Sequence, residues 1–174
     1  LLGHFLLGNV YQWKKKLDDA VVSYQKAIEI DPDYVNAHFE LGIVYFQQGK
    51  LDDALFDFQQ RMDLDPEVAL VHYDYPRVYS QKNKPELAVE SLQKAFDFDK
   101  SAVGSSMADS DFNNIRQTPE YQQLIITTYE QLLDIDPNNI KAYLSLGSLY
   151  YQQSKPDDTT TSFQKVVEID ANHS

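Results

Sequence analysis

The chain has 174 residues, 43% hydrophobic and 13% aromatic, which is enough apolar surface to bury a core and argues against wholesale disorder. Fifteen basic against twenty-seven acidic residues give a formal charge of −12, which repels a phosphate backbone and argues against nucleic acid as a partner. No run approaches the roughly 20 apolar residues of a membrane-spanning helix, and the absence of cysteine removes disulfides, thiolate metal sites and a Cys nucleophile. The segment is expected to be soluble.

In chain order, Leu7-Gly8-x-x-Tyr11, Ala20, Tyr24, Ala27 and Pro32 recur as Leu41-Gly42-x-x-Tyr45, Ala54, Phe58, Arg61 and Pro66, each pair 34 residues apart. Apolar residues at helical intervals, Val21, Tyr24, Ile28 and then Leu55, Phe58, Met62, predict amphipathic helices, two to each unit. Gly8, Ala20 and Ala27 admit close backbone approach, and Tyr11 and Tyr24 fill the space left. Gly49 is predicted to stop the first helix of unit two, while Pro85 and Pro156 are predicted to open second helices. The acid pairs Asp18-Asp19, Asp52-Asp53 and Asp157-Asp158 then fall in first turns, complementing the helix dipole. Unit three offers Tyr75, Pro76, Tyr79, Ala88, Leu92 and Ala95, with Pro76 expected to kink its first helix.

Between Asp97 and Tyr121 the pattern fails. Lys100 to Asp111 holds Ser, Gly and Asp where a well-formed helix belongs, and Lys100 to Pro137 spans 37 residues, so three extra residues are absorbed. Irregular residues 99–117 are read as either a binding loop or a decayed helix. Thr118-Pro119-Glu120 reads as a fresh helix start, followed by Tyr121, Leu124, Ile125 and Tyr129. A last unit offers Leu146-Gly147-x-x-Tyr150, Phe163 and Val166. The expected fold is all-α: a single array over 1–174 of about five helix-turn-helix repeats, about 1–34, 35–68, 69–102, an irregular 103–139, and 140–173.

This 34-residue pattern resembles the tetratricopeptide repeat family, in which small residues mark the touching helices and Pro ends the unit. The run Asp109-x-Asp111-Phe112-x-x-Ile115-Arg116-x-x-Pro119-x-Tyr121-x-x-Leu124 looks like the altered unit inside many bacterial members. Pro76 departs from the pattern, standing where Gly is usual. The resemblance implies a right-handed superhelical solenoid whose first helices line a concave groove. It also implies a protein-binding scaffold, not an enzyme, that takes a peptide or helix of a partner there. Chaperone-binding members grip a terminal carboxylate with cations and amides; the matching positions here are Phe5, Asn9, Glu40, Leu70 and Asp74. Only Asn9 fits, and the two acids would repel that ligand.

Other constellations favour structure over chemistry. His4, His38 and His72 recur every 34 residues, yet stacked helices lie about 8–10 Å apart, whereas zinc ligands each approach within about 2 Å. Packing between helices is their expected role, and neither metal nor cofactor is expected. Ser-x-x-Lys occurs at Ser23/Lys26, Ser91/Lys94 and Ser162/Lys165, but in one repeat phase on an outer helix face, with no oxyanion loop. No phosphate-cradling glycine loop is present.

The expected partner-binding surface is the first-helix face: Phe5, Asn9 and Trp13, then Asn36, Phe39, Glu40 and Ile43, then Tyr73, Asp74 and Arg77. Aromatics beside amides and acids suit a peptide that is neutral to basic and partly apolar. The alternative is self-assembly: Leu1, Leu2 and Phe5 at one end and Phe163, Val166, Val167 and Ile169 at the other leave apolar faces that favour a homo-oligomer or a flanking segment.

Overall fold

In a computed structural model, residues 1–65 and 69–171 are described, with side chains except at 69–72, so Pro66 and the side chains of Leu70 and His72 lie outside the described residues. The described residues form ten α-helices and no strand. These are α1 Leu2–Trp13, α2 Leu17–Ile30, α3 Val35–Gln47, α4 Leu51–Leu64, α5 Ala69–Gln81, α6 Pro85–Phe98, α7 Ala102–Ala108, α8 Pro119–Ile135, α9 Ile140–Gln152 and α10 Pro156–Ala171. Pro85 and Pro156 open α6 and α10, and all three acid pairs sit in first turns, as predicted. α5 runs through Pro76 as one helix. None of the described helices is long and apolar enough to cross a membrane.

The chain divides into two compact units, Leu1–Ser91 and Leu92–Ser174. In the first, α1 packs on α2, α2 on α3, α3 on α4 and α4 on α5. One core cluster joins Ala20, Tyr24, Leu41 and Val44, a second Ala54, Phe58 and Val78. The conserved spacing of Gly and ring within the repeats has a direct cause. A Cβ on Gly42 would stand 2.6 Å from the Phe58 ring, and Gly8 faces Tyr24 in the same way. Only a bare Cα admits a fully buried aromatic there.

One turn closes four of the helix pairs. Lys15, Gly49, Asn83 and Ser154 occupy the same repeat position, and all four take a left-handed backbone, with φ of 58°, 73°, 53° and 57°. Gly49 N–H donates to the Phe46 carbonyl at 3.0 Å and Lys50 N–H to the Tyr45 carbonyl at 2.9 Å. The equivalent bonds from Lys15 and Lys16, Asn83 and Lys84, and Ser154 and Lys155 complete the set. Such a cap satisfies the last helical carbonyls but asks for a residue without a Cβ. Unit two of the repeat supplies one.

In the second compact unit the irregular segment is built, not absent. The short α7 is followed by a 3-10 turn at Ser110–Phe112, and Val103, Ser106, Phe112 and Ile115 are buried. Thr118 caps α8 by accepting from Tyr121 N–H at 3.3 Å, which is the predicted fresh start. Tyr121 in turn donates its hydroxyl to the Ser106 carbonyl at 3.1 Å. α8 packs on α9 and α9 on α10, where Gly147 sits against Phe163 as Gly42 does against Phe58.

Candidate functional site

The first-helix side of the first compact unit carries a chain of polar groups that begins at Tyr24. Its buried hydroxyl lies 2.7 Å from Asn9 Oδ1 and 2.7 Å from Gln12 Oε1. One phenolic proton cannot serve two acceptors. The Gln12 amide also hydrogen-bonds Glu40, which needs a donor, so its NH2 faces that carboxylate and its oxygen takes the Tyr24 proton. Asn9 is therefore turned to present its NH2 to the phenolic oxygen, an assignment made from the network. Burial, with the Glu40 charge added, raises the Tyr24 pKa, so the hydroxyl stays protonated.

Glu40 is half-buried, and burial pushes its carboxyl up against the opposing pull of Gln12 and of Arg61. Arg61 comes from α4, yet its guanidinium carbon lies 3.7 Å from the centre of the Phe39 ring on α3. Arg61 is only 6% exposed. Its Nε and Nη1 are buried with no hydrogen-bond partner among the described residues, although the charges of Asp74, Asp65 and Glu40 all act on it. Asp74 on α5 is 8% exposed, with Oδ1 3.5 Å from Arg77 Nη1 and Oδ2 buried without a partner among the described residues. Burial pushes its carboxyl up to about 6, against the pull of Arg77 and Arg61. The Arg77 guanidinium stands 5.2 Å from the centre of the Phe46 ring.

The structure thus places Phe39, Glu40 and Asp74 of the expected set about Arg61, with Arg77 paired to Asp74 and Asn9 bonded to Tyr24. Phe5 packs edge-on against Tyr34 at 5.2 Å and tilted against Tyr24 at 5.8 Å. Ile43 packs on the Phe58 cluster. Tyr73 is half-buried, Asn36 is exposed, and Trp13 is 81% exposed. Arg61 was not among the expected site residues. The signal was there: a cation where repeats one and three carry Ala27 and Ala95.

One residue before Phe39 on α3, the second repeat holds another departure. His38 Nε2 lies 2.9 Å from the Pro32 carbonyl, which can only accept, and Nδ1 lies 2.9 Å from Asp57 Oδ1. Nε2 therefore carries a proton, and one further proton is shared between Nδ1 and the carboxylate. The hydrogen bond to Asp57 raises the His38 pKa, and burial raises that of Asp57. A surface cleft of ≈ 470 Å³ opens beside them, lined also by Gln25, Glu29, Tyr45 and Phe56. His38 is a packing and bonding residue, committed at both nitrogens.

Two of the three serines of the Ser-x-x-Lys runs are spent on their own helices: Ser23 donates to the Asp19 carbonyl and Ser162 to the Asp158 carbonyl, each at 2.8 Å. Lys165 pairs with Glu168 at 2.6 Å. Among the described residues no group of three His, Asp or Glu is placed to hold a metal ion.

Consecutive helix pairs, repeated turns and Gly-on-ring contacts define a helical repeat protein. A family profile described as TPR repeat matches residues 8–49 and 126–154, and one described as Tetratricopeptide repeat matches 35–68. The chain belongs to the tetratricopeptide repeat family, whose members serve as protein–protein interaction scaffolds. Among solved structures it is similar to MamA, at 23% identity over 96% of each chain with a TM-score of 0.67. YrrB, described as a TPR protein with an unusual peptide-binding site, matches at 19% identity over 98% of this chain and 86% of its own, TM-score 0.63. PilF of Pseudomonas aeruginosa matches at 19% identity over 95% and 74%, TM-score 0.62. At these identities the likeness is one of fold. No curated protein matches the sequence.

Proposed function

We propose that this chain holds an extended peptide segment of a partner protein, neutral to basic and partly apolar, along the side formed by α1, α3 and α5. The observation that carries the reading is that hydrogen bonds join Asn9, Tyr24, Gln12 and Glu40, and charge interactions then couple Glu40, Arg61, Asp74 and Arg77, so that residues of α1, α3 and α5 act on one another. Phe39 packs under Arg61 and Trp13 stands 81% exposed at the end of α1, and aromatic anchors are a usual source of interface energy. The formal charge of −12 favours a partner that is not itself acidic. That YrrB, a structural neighbour, has a peptide-binding site supports the same class of ligand.

Panning the immobilised chain against a library of random dodecapeptides tests the reading. Enrichment of non-acidic, aromatic-containing sequences is expected, with binding weakened by Phe39→Ala and by Asn9→Ala. No enrichment, or binding indifferent to both substitutions, overturns it.

A second reading rests on the exposed face of α1, which shares Trp13 with the first. Leu2, Leu6, Val10 and Trp13 recur at helical spacing on α1 and are all exposed, an apolar stripe that suits association with another copy. Light scattering across a concentration series decides it, and a monomer at every concentration ends it.

A further inference from the structure

We propose that the cleft beside His38 and Asp57 takes an arginine side chain of a partner protein, its guanidinium held by the carboxylates of Glu29, Asp53 and Asp57 against the ring of Phe56. All four residues line that one opening of ≈ 470 Å³, which has room for a long side chain. Its walls come from α2, α3 and α4, and it shares no residue with the groove surface proposed above.

Two adjacent residues of the second repeat set this cleft apart. Where α4 has Asp57, the first, third and last repeats have Ser23, Ser91 and Ser162, and where it has Phe56 they have Val22, Glu90 and Thr161. A histidine at the place of His38 does not call for that carboxylate, since His4 and Ser23 stand in the same relation in the first repeat. Packing does not call for Phe56 either, because the ring is 63% exposed.

The lining carries acceptors and no matching cation. Asp57 is 4% exposed and gives Oδ1 to His38 at 2.9 Å. Its Oδ2 makes no hydrogen bond among the described residues and, unlike Asp74 Oδ2, is not sealed from solvent. Wherever their shared proton sits, His38 and Asp57 together are neutral, so the charge of the cleft is that of Glu29 and Asp53. Both are exposed, and neither forms a salt bridge among the described residues. Lys50 stands over the Tyr45 ring at 5.5 Å but is not part of the lining. Tyr45 itself lies within reach of two of the carboxylates: burial first, then the charges of Asp57 and Asp53, raise its pKa.

These groups select among cations. A metal ion needs ligands that converge on one point, and no group of three His, Asp or Glu among the described residues does so. A guanidinium needs less convergence, because its five N–H donors spread over a rigid fork that pairs with carboxylates and its plane stacks on an aromatic ring. An ammonium has the charge without the plane.

The test titrates the intact chain with the capped peptide acetyl-Gly-Gly-Arg-Gly-Gly-amide and follows backbone amide shifts by NMR. Saturable shifts centred on Glu29, Asp53 and Phe56 are expected, with a Kd of about 1 mM for so small a ligand. The analogue with citrulline, which keeps the shape and loses the charge, is expected to bind at least about tenfold more weakly, and the lysine analogue about threefold more weakly. Glu29→Gln/Asp53→Asn, both at exposed positions, should weaken the arginine peptide about tenfold, and Phe56→Ala about threefold. No saturation by about 10 mM, shifts centred on Asn9 and Phe39 instead, or a citrulline or lysine analogue that binds as tightly as the arginine peptide overturns the proposal. The comparison of analogues on the unaltered chain needs no variant to fold, and the dodecapeptide panning decides the groove reading separately.

Discussion

The guanidinium carbon of Arg61 lies over the Phe39 ring, 3.7 Å from its centre, at a position where the first repeat has Ala27. That one exchange of Ala for Arg gathers three carboxylates of different helices and loops into one electrostatic neighbourhood. The consequences for stability fall on the member that burial affects most.

Asp74 titrates at about 6 in the folded chain, above its ordinary 3.8, so folding favours its protonated form. The stability this lends is complete below the ordinary value and is lost as pH rises through about 6. Asp74→Asn, which stays neutral, should therefore stabilise the chain by about 1–3 kcal/mol at pH 8 and progressively less toward pH 4. Urea unfolding at both pH values measures this; a gain that grows toward acid pH would contradict the assignment.

His38 and Asp57 both have raised pKa values, so the native pair holds a proton that the unfolded chain gives up sooner. Stability from the pair is present below the ordinary histidine value of 6.5 and declines as pH rises through the raised one. His38→Ala leaves Asp57 buried alone and should cost about 3–5 kcal/mol. The double variant His38→Tyr/Asp57→Ser installs the residues of the last repeat, Tyr143 and Ser162, and should keep most of the stability while flattening its pH dependence above neutrality. An unchanged slope in the double variant would exclude the pair as its source.

Gly42→Ala and Gly147→Ala place the same methyl 2.6 Å from a ring, yet their costs should differ. Phe58 is 1% exposed and has nowhere to move, whereas Phe163 is 39% exposed. The first should cost about 2–4 kcal/mol and the second about 1 kcal/mol or less. Equal losses on thermal unfolding would mean that the ring is not what the glycine accommodates.

Lys15→Gly and Ser154→Gly remove a Cβ from a left-handed position and should each stabilise by about 0.5–1 kcal/mol. Gly49→Ala should cost a similar amount. Asn83→Gly should gain least, because Asn tolerates this conformation. Parallel denaturation curves of the four variants check the ranking.

The fold was legible because its signals are periodic. Gly49, Pro85, Pro156 and Thr118-Pro119 mark helix ends by local backbone chemistry, and each marks one in the structure. The site was only partly legible, because it depends on departures from that period. Phe39, Glu40 and Asp74 follow from their place on first helices, but the side chain that gathers them comes from a second helix and is long enough to reach across. The partners of Tyr24 and of His38 stand 15 and 19 residues away in sequence, at no spacing that a helix face reveals.

The shared turn at Lys15, Gly49, Asn83 and Ser154 bears on how the chain reaches its native state. Each helical hairpin is closed by bonds between neighbours three and five residues apart, so every one of them is a place where ordering can begin without waiting for distant segments to meet. Amide exchange should accordingly be graded hairpin by hairpin, slowest where the buried rings of Tyr24 and Phe58 lock the two arms together.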